Sequence, residues 1–418
     1  MSLFDNPHYG KKGTVTGMTK AMQKMSMGRG KLLAAADLTR RSAGQVQDLY
    51  GQNRLIRRNG ASGTLLRVAV TVACVMLLGC GSNPPPLMLG SSQPSDWMAL
   101  FSDDTPISVL SIPGTHDTCT YTQGDLVGAG YVKTQERSIV DQLDNGIRFL
   151  DIRCRLTGNG FAIHHGFIFL GMTFQDVIND CKSFLQAHLT ETILMDVGHE
   201  YEDQGSTLSF HQVFLNYYNA NRYLDGNRDL WYLGTTIPTL GQVRGKIVLI
   251  RSFDLDPGAT AIGIGMPGGQ NSDYYSYKFS TNPDQTVYIE NLWQPPICDW
   301  SVYVQKENAA GSNIQRAEYN NYFQAANYMN HLYMTFLSAN ETPNPLSNNS
   351  SERCPCTARW PKCGYTPREF ADELNPWFLG CVKKEGGPVG IVIMDFPGSD
   401  IIGLIIDSSF WHPHPNPS

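Results

Sequence analysis

Four apolar runs in this chain end in residues able to move protons and hold phosphate. SIPGTHDT (Ser111 to Thr118) ends in His116 and Asp117. GIRFLDIRCRL (Gly146 to Leu156) carries Asp151 and Arg153, and FAIHHGF (Phe161 to Phe167) carries His164 and His165. The run GIVIMDF (Gly390 to Phe396) ends in Asp395. A neutral imidazole can take a proton from a hydroxyl, and a protonated one can give a proton to a leaving oxygen. A carboxylate beside each ring orients it and supports its cationic form. A guanidinium can hold non-bridging phosphate oxygens and stabilise charge that builds on them. This set suits phosphoryl transfer by acid–base catalysis with no divalent ion and no cofactor.

Taken singly, each residue has a plainer reading. A histidine after a strand can be a structural polar group, Asp151 and Arg153 can be an ordinary ion pair, and Asp395 can end a strand. Their joint placement at the ends of apolar runs argues for a site, because buried strands present reactive groups just past their C-terminal ends. Asp151 and Arg153 are two apart and share a face. His164 and His165 alternate, so one faces the site and the other packs.

The elements that must position these residues follow from the same runs. Apolar, often β-branched segments recur at Ile107–Ile112, Ile147–Ile152, Phe161–Ile163, Thr192–Val197, Lys246–Ile250, Thr286–Glu290, Leu332–Leu337 and Gly390–Met394. They read as strands buried on both faces. Helical patterns lie between several of them, at Phe174–His188, Asn308–Asn330 and Pro367–Leu374. Eight strands alternating with helices predict an irregular α/β barrel of the (β/α)8 TIM type. It is irregular because Arg153 to Gly160 is too short to hold a helix. In a closed barrel the last strand lies beside the first, which brings Asp395 to His116.

Charge divides the chain. Residues 1–80 hold 12 Lys/Arg against 3 Asp/Glu, whereas the rest hold 20 against 35. An acidic catalytic part argues against nucleic acid as a partner, since that binding relies on cations. Residues 1–64 read as a basic extension. Residues 65–80 read as an export signal: basic residues up to Arg67, a 12-residue apolar core too short to span a bilayer, and the ending Leu77-Leu78-Gly79-Cys80. That ending is similar to a lipoprotein cleavage box with Cys80 as the lipidated residue; a plain signal peptide or an uncleaved anchor stand beside it. A signal so far from residue 1 implies either a downstream start or a basic cytosolic tail. Residues 81–95 form a Pro/Ser-rich linker, and residues 96–418 the catalytic barrel. The expected location is exported, secreted or membrane-anchored. Eight cysteines follow Cys80, an even number that favours disulfides behind an export signal.

SIPGTHDT, GIRFLDIRCRL, AIHHG and ETILMDVGHEYED (Glu191 to Asp203) together resemble the phosphatidylinositol-specific phospholipase C family, in its bacterial-type, metal-independent branch. GKIVLIR, HLYMTFLS and GIVIMDF resemble that family's later strands. The resemblance implies attack of the inositol 2-hydroxyl on its own 1-phosphate, giving diacylglycerol and inositol 1,2-cyclic phosphate. It implies His116 as general base oriented by Asp395, His165 as general acid partnered by Asp117, and Arg153 on the phosphate. Asp151, Arg251, Glu290 and Trp293 are the implied substrate-binding positions. The family's usual lysine falls at about Gly198, a departure that bears on ring recognition. The metal-dependent branch places acidic ligands where Arg153 stands, so no metal is expected.

The implied partner is a membrane surface containing phosphatidylinositol or a glycosylphosphatidylinositol anchor, met by a monomer. Phe167, Phe169, Leu170, Trp293, Pro295 and Pro296 are candidates to touch it. Two other readings stand beside this one: a metal-dependent phosphodiesterase on another phospholipid head group, and a catalytically silent lipid-binding module on the same fold.

Overall fold

A computed structural model describes residues 93–411 except 126, 267–269, 280–281, 283, 296–300, 324–328, 341–364 and 383–386. The expected export signal with Cys80, most of the expected linker, Pro296 and four of the eight later cysteines lie outside the described residues. Among the described residues, no helix is long and apolar enough to cross a membrane.

The chain first forms β1 (Ile112–Thr115) and α1 (Ile139–Asp144). Three consecutive strands follow, β2 (Phe149–Thr157), β3 (Gly160–His165) and β4 (Ile168–Thr173). Then come α2 (Phe174–Ala187), β5 (Ile193–His199), α3 (Phe210–Ala220) and β6 (Trp231–Tyr232). The middle of the chain supplies α4 (Leu240–Val243), β7 (Ile247–Ser252), β8 (Ile264–Gly265), β9 (Ser272–Lys278) and β10 (Thr286–Asn291). The last elements are α5 (Ser301–Phe323), β11 (His331–Leu337), α6 (Pro367–Cys381), β12 (Ile391–Met394) and α7 (Ser399–Ser408).

The strands run in the order β6-β7-β5-β2-β1-β12-β11-β10-β9, with β8 on β7 and the hairpin β3–β4 on β2. The pairs from β7 through β5, β2, β1, β12 and β11 to β10 are all parallel. This is a TIM-type barrel. Every residue of β1 and β12 is buried, as continuous apolar runs with helices outside and packed side chains inside require. Gly114 serves the closest approach: a Cβ there would lie 2.8 Å from the Phe149 Cβ, so β1 and β2 come together only with glycine at this position.

The short link after Arg153 is explained by β3. It is antiparallel to β2, so a tight turn suffices and no crossover helix is needed. The run Ile107–Ile112 differs from expectation, because Ile107–Val109 forms a 3-10 turn after Pro106 and the strand begins at Ile112. The helix expected over Asn308–Asn330 starts earlier, at Ser301, and α6 continues through Pro376 to Cys381. α2 buries the predicted stripe Val177, Ile178, Cys181, Phe184 and Leu185. Thr173 begins it as a capping box with Asp176.

The expectation that the later cysteines are stapled does not hold for three of them. Cys119, Cys154 and Cys181 are free and buried, and they pack in the apolar core. Burial pushes all three thiols up, so they are small apolar side chains rather than reactive groups.

One buried ion pair ties the start of the barrel together. Arg148 and Glu191 have fully buried side chains 2.8 Å apart. Arg148 also donates to the carbonyls of Leu143, Ile147 and Ser95, and Glu191 accepts from the Met98 amide. Arg148→Ala leaves a buried carboxylate uncompensated and is expected to cost about 3–5 kcal/mol in urea unfolding. Arg148→Met with Glu191→Leu is expected to recover part of that loss. An unchanged midpoint for Arg148→Ala would contradict this assignment.

Candidate active site

The register of β1 on β12 builds one half of the site. Thr115 lies opposite Met394, so the next residues, His116 and Asp395, emerge side by side. The His116 amide donates to the Met394 carbonyl at 3.0 Å. Its Nδ1 lies 2.8 Å from Asp395 Oδ1, and Asp395 is fully buried. Nε2 is therefore the nitrogen turned toward the cavity. Gln135 donates to the carbonyls of His116 and Met394, and Thr134 donates to that of His116.

The other half comes from β2 and β3. Asp117 takes the left-handed conformation with φ 44°, which is uncommon for a residue with a side chain. Its amide donates to Asp151 Oδ2 at 3.1 Å, and its carboxylate is buried among three partners. Arg153 Nε lies 2.8 Å from Oδ1, while His116 Nε2 and His165 Nε2 lie 3.3 and 3.2 Å from Oδ2. Arg153 also reaches Asp151, with Nη2 3.0 Å from Oδ2. These contacts use Nε and Nη2, and Nη1 has no partner among the described residues. His164 points the other way, buried with its ring 5.6 Å from that of Phe169.

The electrostatics follow from these contacts. Burial alone would push the Asp117 carboxyl up, but Arg153, His116 and His165 outweigh it and hold the group well below the usual carboxylate range. Burial likewise works against a charged His116. Asp117 and Asp395 overcome that and raise its pKa above the ordinary histidine value. Arg153 is held charged by Asp117 and Asp151 despite burial.

A cavity of about 360 Å³ opens on this cluster. It is lined by His116, Asp151, Arg153 and His165, by Asp196, Gly198, His199 and Glu200 of β5 and the loop after it, and by Ser252, Tyr275, Trp293 and Phe336 among others. Two sequence candidates are placed elsewhere. The Arg251 guanidinium donates to the carbonyls of Ile262 and Phe253. Glu290 is fully buried with Lys306, their charged atoms 2.6 Å apart. Both sit at strand positions whose side chains are claimed by the barrel wall. Asp196, Glu200, Ser252 and the brace Thr134–Gln135 were not singled out from sequence. The signal for Asp196 was its place in a run whose neighbouring strand carries Asp151 at the matching register position.

His116, Asp117 and Asp151 each offer a ligand atom within 4.8 Å of the others. The Arg153 guanidinium, however, already sits against both carboxylates. The arrangement thus places one fixed cation, two imidazoles facing each other across a carboxylate oxygen, and a concave, half-enclosed space for a ligand.

Residues 104–252 match the family model described as phosphatidylinositol-specific phospholipase C, X domain. The 1-phosphatidylinositol phosphodiesterase of Staphylococcus aureus (strain Newman) is 27% identical over 331 residues, covering 76% of this chain and 95% of that protein. The protein of the same name from Listeria monocytogenes is 29% identical over 323 residues, covering 75% and 84%. The crystal structure of a pentafluoro-phenylalanine form of phosphatidylinositol-specific phospholipase C from Staphylococcus aureus superposes with a TM-score of 0.61 at 26% identity. It covers 76% of this chain and 98% of that one. The parallel barrel, the histidines at its strand ends and these similarities agree: the chain is similar to the phosphatidylinositol-specific phospholipase C family over about three quarters of its length.

Proposed function

We propose that this enzyme cleaves the phosphodiester of phosphatidylinositol by attack of the inositol 2-hydroxyl on the adjacent phosphorus, releasing diacylglycerol and forming inositol 1,2-cyclic phosphate. The observation that carries this reading is the shared Asp117 carboxylate, with His116, His165 and Arg153 converging on it. His116 accepts the hydroxyl proton at Nε2, because Nδ1 is engaged by Asp395. As the bond to the new oxygen forms, the P–O bond to the glycerol oxygen breaks, and His165 gives that oxygen its proton. Arg153 takes the non-bridging oxygens with Nη1 and stabilises the charge they gain. The nucleophile belongs to the substrate, so proximity comes from binding alone. Arg153 supplies the positive charge that a divalent ion would otherwise bring.

The exposed aromatics at the mouth support a lipid surface as the partner. Gly166, next to His165, turns the β3–β4 hairpin, and its amide donates to Glu200. Phe167 beyond it is 70% exposed, Phe169 is 52% exposed, and the Tyr201 ring lies 6.4 Å from that of Phe167. Aromatic rings exposed beside a lipid-cleaving site suit the membrane interface. Leu170, by contrast, is buried in the core. The domain layout belongs to the same reading: a basic extension, an export signal ending at Cys80, a short linker and a monomeric barrel working outside the cell on a membrane.

Three measurements test these assignments. Release of soluble head group from phosphatidylinositol vesicles is expected to persist in excess EDTA, and His116→Ala and His165→Ala are each expected to lower kcat by about 10²–10⁴-fold. Loss of wild-type activity in EDTA, with recovery on adding calcium or magnesium, would replace Arg153 with a metal.

The second measurement is a pH profile. His116 must be neutral to accept a proton, so the rate falls as pH drops through its raised pKa. Asp395→Asn removes one of the carboxylates that raise it, and the acidic limb is expected to move to lower pH. A limb that stays in place would assign it to another group.

The third concerns the hairpin. Each phenylalanine withdrawn from water contributes about 1.5–3 kcal/mol. Phe167→Ser with Phe169→Ser is therefore expected to weaken vesicle binding at least about 100-fold. Turnover of a monomeric short-chain substrate should be unchanged. Equal vesicle binding would place the membrane contact elsewhere.

A further inference from the structure

One carboxyl in the pocket has no part in the acid–base cluster. Asp196 sits in β5 opposite Asp151 of β2, one strand farther from His116 and Asp395 in the sheet order. It lines the cavity with 7% of its surface exposed. Its Oδ1 is buried and has no hydrogen-bond partner, and Ser252 of β7 favours the charged form of the carboxyl. A buried polar atom left in this state bears its desolvation cost uncompensated, unless a ligand supplies the bond.

The surroundings narrow the ligand's chemistry. Position 198, two residues on along the same strand face, is glycine, so no side chain there competes for Asp196. Arg153 is the sole lysine or arginine among the described residues lining the cavity, and its Nε and Nη2 are committed to Asp117 and Asp151. Burial, and then the charge of Asp151, push Asp196 up to about 7, with Ser252 and Arg153 acting the other way. Near neutral pH the carboxyl therefore offers both an acceptor and a donor. Ring hydroxyls offer the same pair.

We infer that Asp196 is a substrate-binding residue, which takes a hydroxyl of the polyol ring on the side away from the phosphate. The inference rests on the reaction proposed above, and it assigns to Asp196 part of the ring recognition that a lysine at position 198 would otherwise share.

The test uses the full chain and a short-chain phosphatidylinositol held below its micelle concentration. Asp196→Ala is expected to raise KM by about 10-fold or more while kcat stays within about 3-fold. Asp196→Asn keeps a donor and an acceptor and is expected to stay within about 3-fold in both. Substrate analogues lacking single ring hydroxyls probe the wild type directly. One of them is expected to show the same rise in KM, and Asp196→Ala should not distinguish that analogue from the parent.

Unchanged KM for Asp196→Ala would overturn the inference while leaving the reaction standing. So would an equal fall in kcat for both variants at constant KM, or wild-type KM insensitive to every single deletion. If Asp196→Ala fails to fold, the analogue series in the wild type decides alone. Absence of any wild-type turnover would remove the reaction, and the inference with it.

Discussion

The Asp117 carboxylate is the contact on which the rest of the site depends. It is buried, and burial alone would favour its neutral form. Instead it stays ionised because a guanidinium and two imidazoles surround it. Removing it would leave Arg153 partly unpaired and both histidines without their shared neighbour. The backbone is bent to deliver it: φ of 44° turns Asp117 back over the end of β1, while its amide is held by Asp151. Uncommon backbone conformations of this kind persist where the surroundings over-determine them. Here they are set by β12 on one side of β1 and β2 on the other.

The neighbouring polar network explains why such a cluster stays in place. Thr118 bonds to Thr115 and receives the Asp151 amide. Gln142 of α1 accepts from Thr115 and donates to the Thr118 carbonyl, and Gln135 ties His116 to the end of β12. The segment between β1 and β2 therefore braces the catalytic strand ends through side chains that never face the cavity. Satisfied buried networks of this sort fix a single arrangement. They let an arginine, with five donors in a rigid plane, work as a positioned cation.

Much of this was legible in the residues. The short strands that lead to His116 and Asp395 are apolar and buried along their whole length, and the residues just past their ends are the reactive groups; β3 alternates and ends at His165, whereas β2 runs on past Arg153 to Thr157. The adjacency of Asp395 and His116 followed from closing the barrel. The two-residue strands β6 and β8 had no pattern long enough to read. Ile107–Ile112 misled because a proline at its start favours a turn that apolar content does not reveal. Arg251 and Glu290 sit on strands of the right kind, but which face a side chain takes depends on register, and a single residue of offset reverses it. The free cysteines were obscured because an even count carries no information on distance, and Cys119, Cys154 and Cys181 are core residues. Asp196 was hidden for the opposite reason: within an apolar strand, one acidic residue looks like an exception until its neighbour across the sheet is known.

The central claim is that a carboxylate-linked pair of histidines and an arginine carry out an intramolecular phosphoryl transfer without an ion. Phosphorus NMR of the protein with phosphatidylinositol micelles in excess EDTA tests it most directly. The account predicts that inositol 1,2-cyclic phosphate appears first, before any inositol 1-phosphate. Direct appearance of inositol 1-phosphate with no cyclic species, or a requirement for a divalent ion, would contradict it.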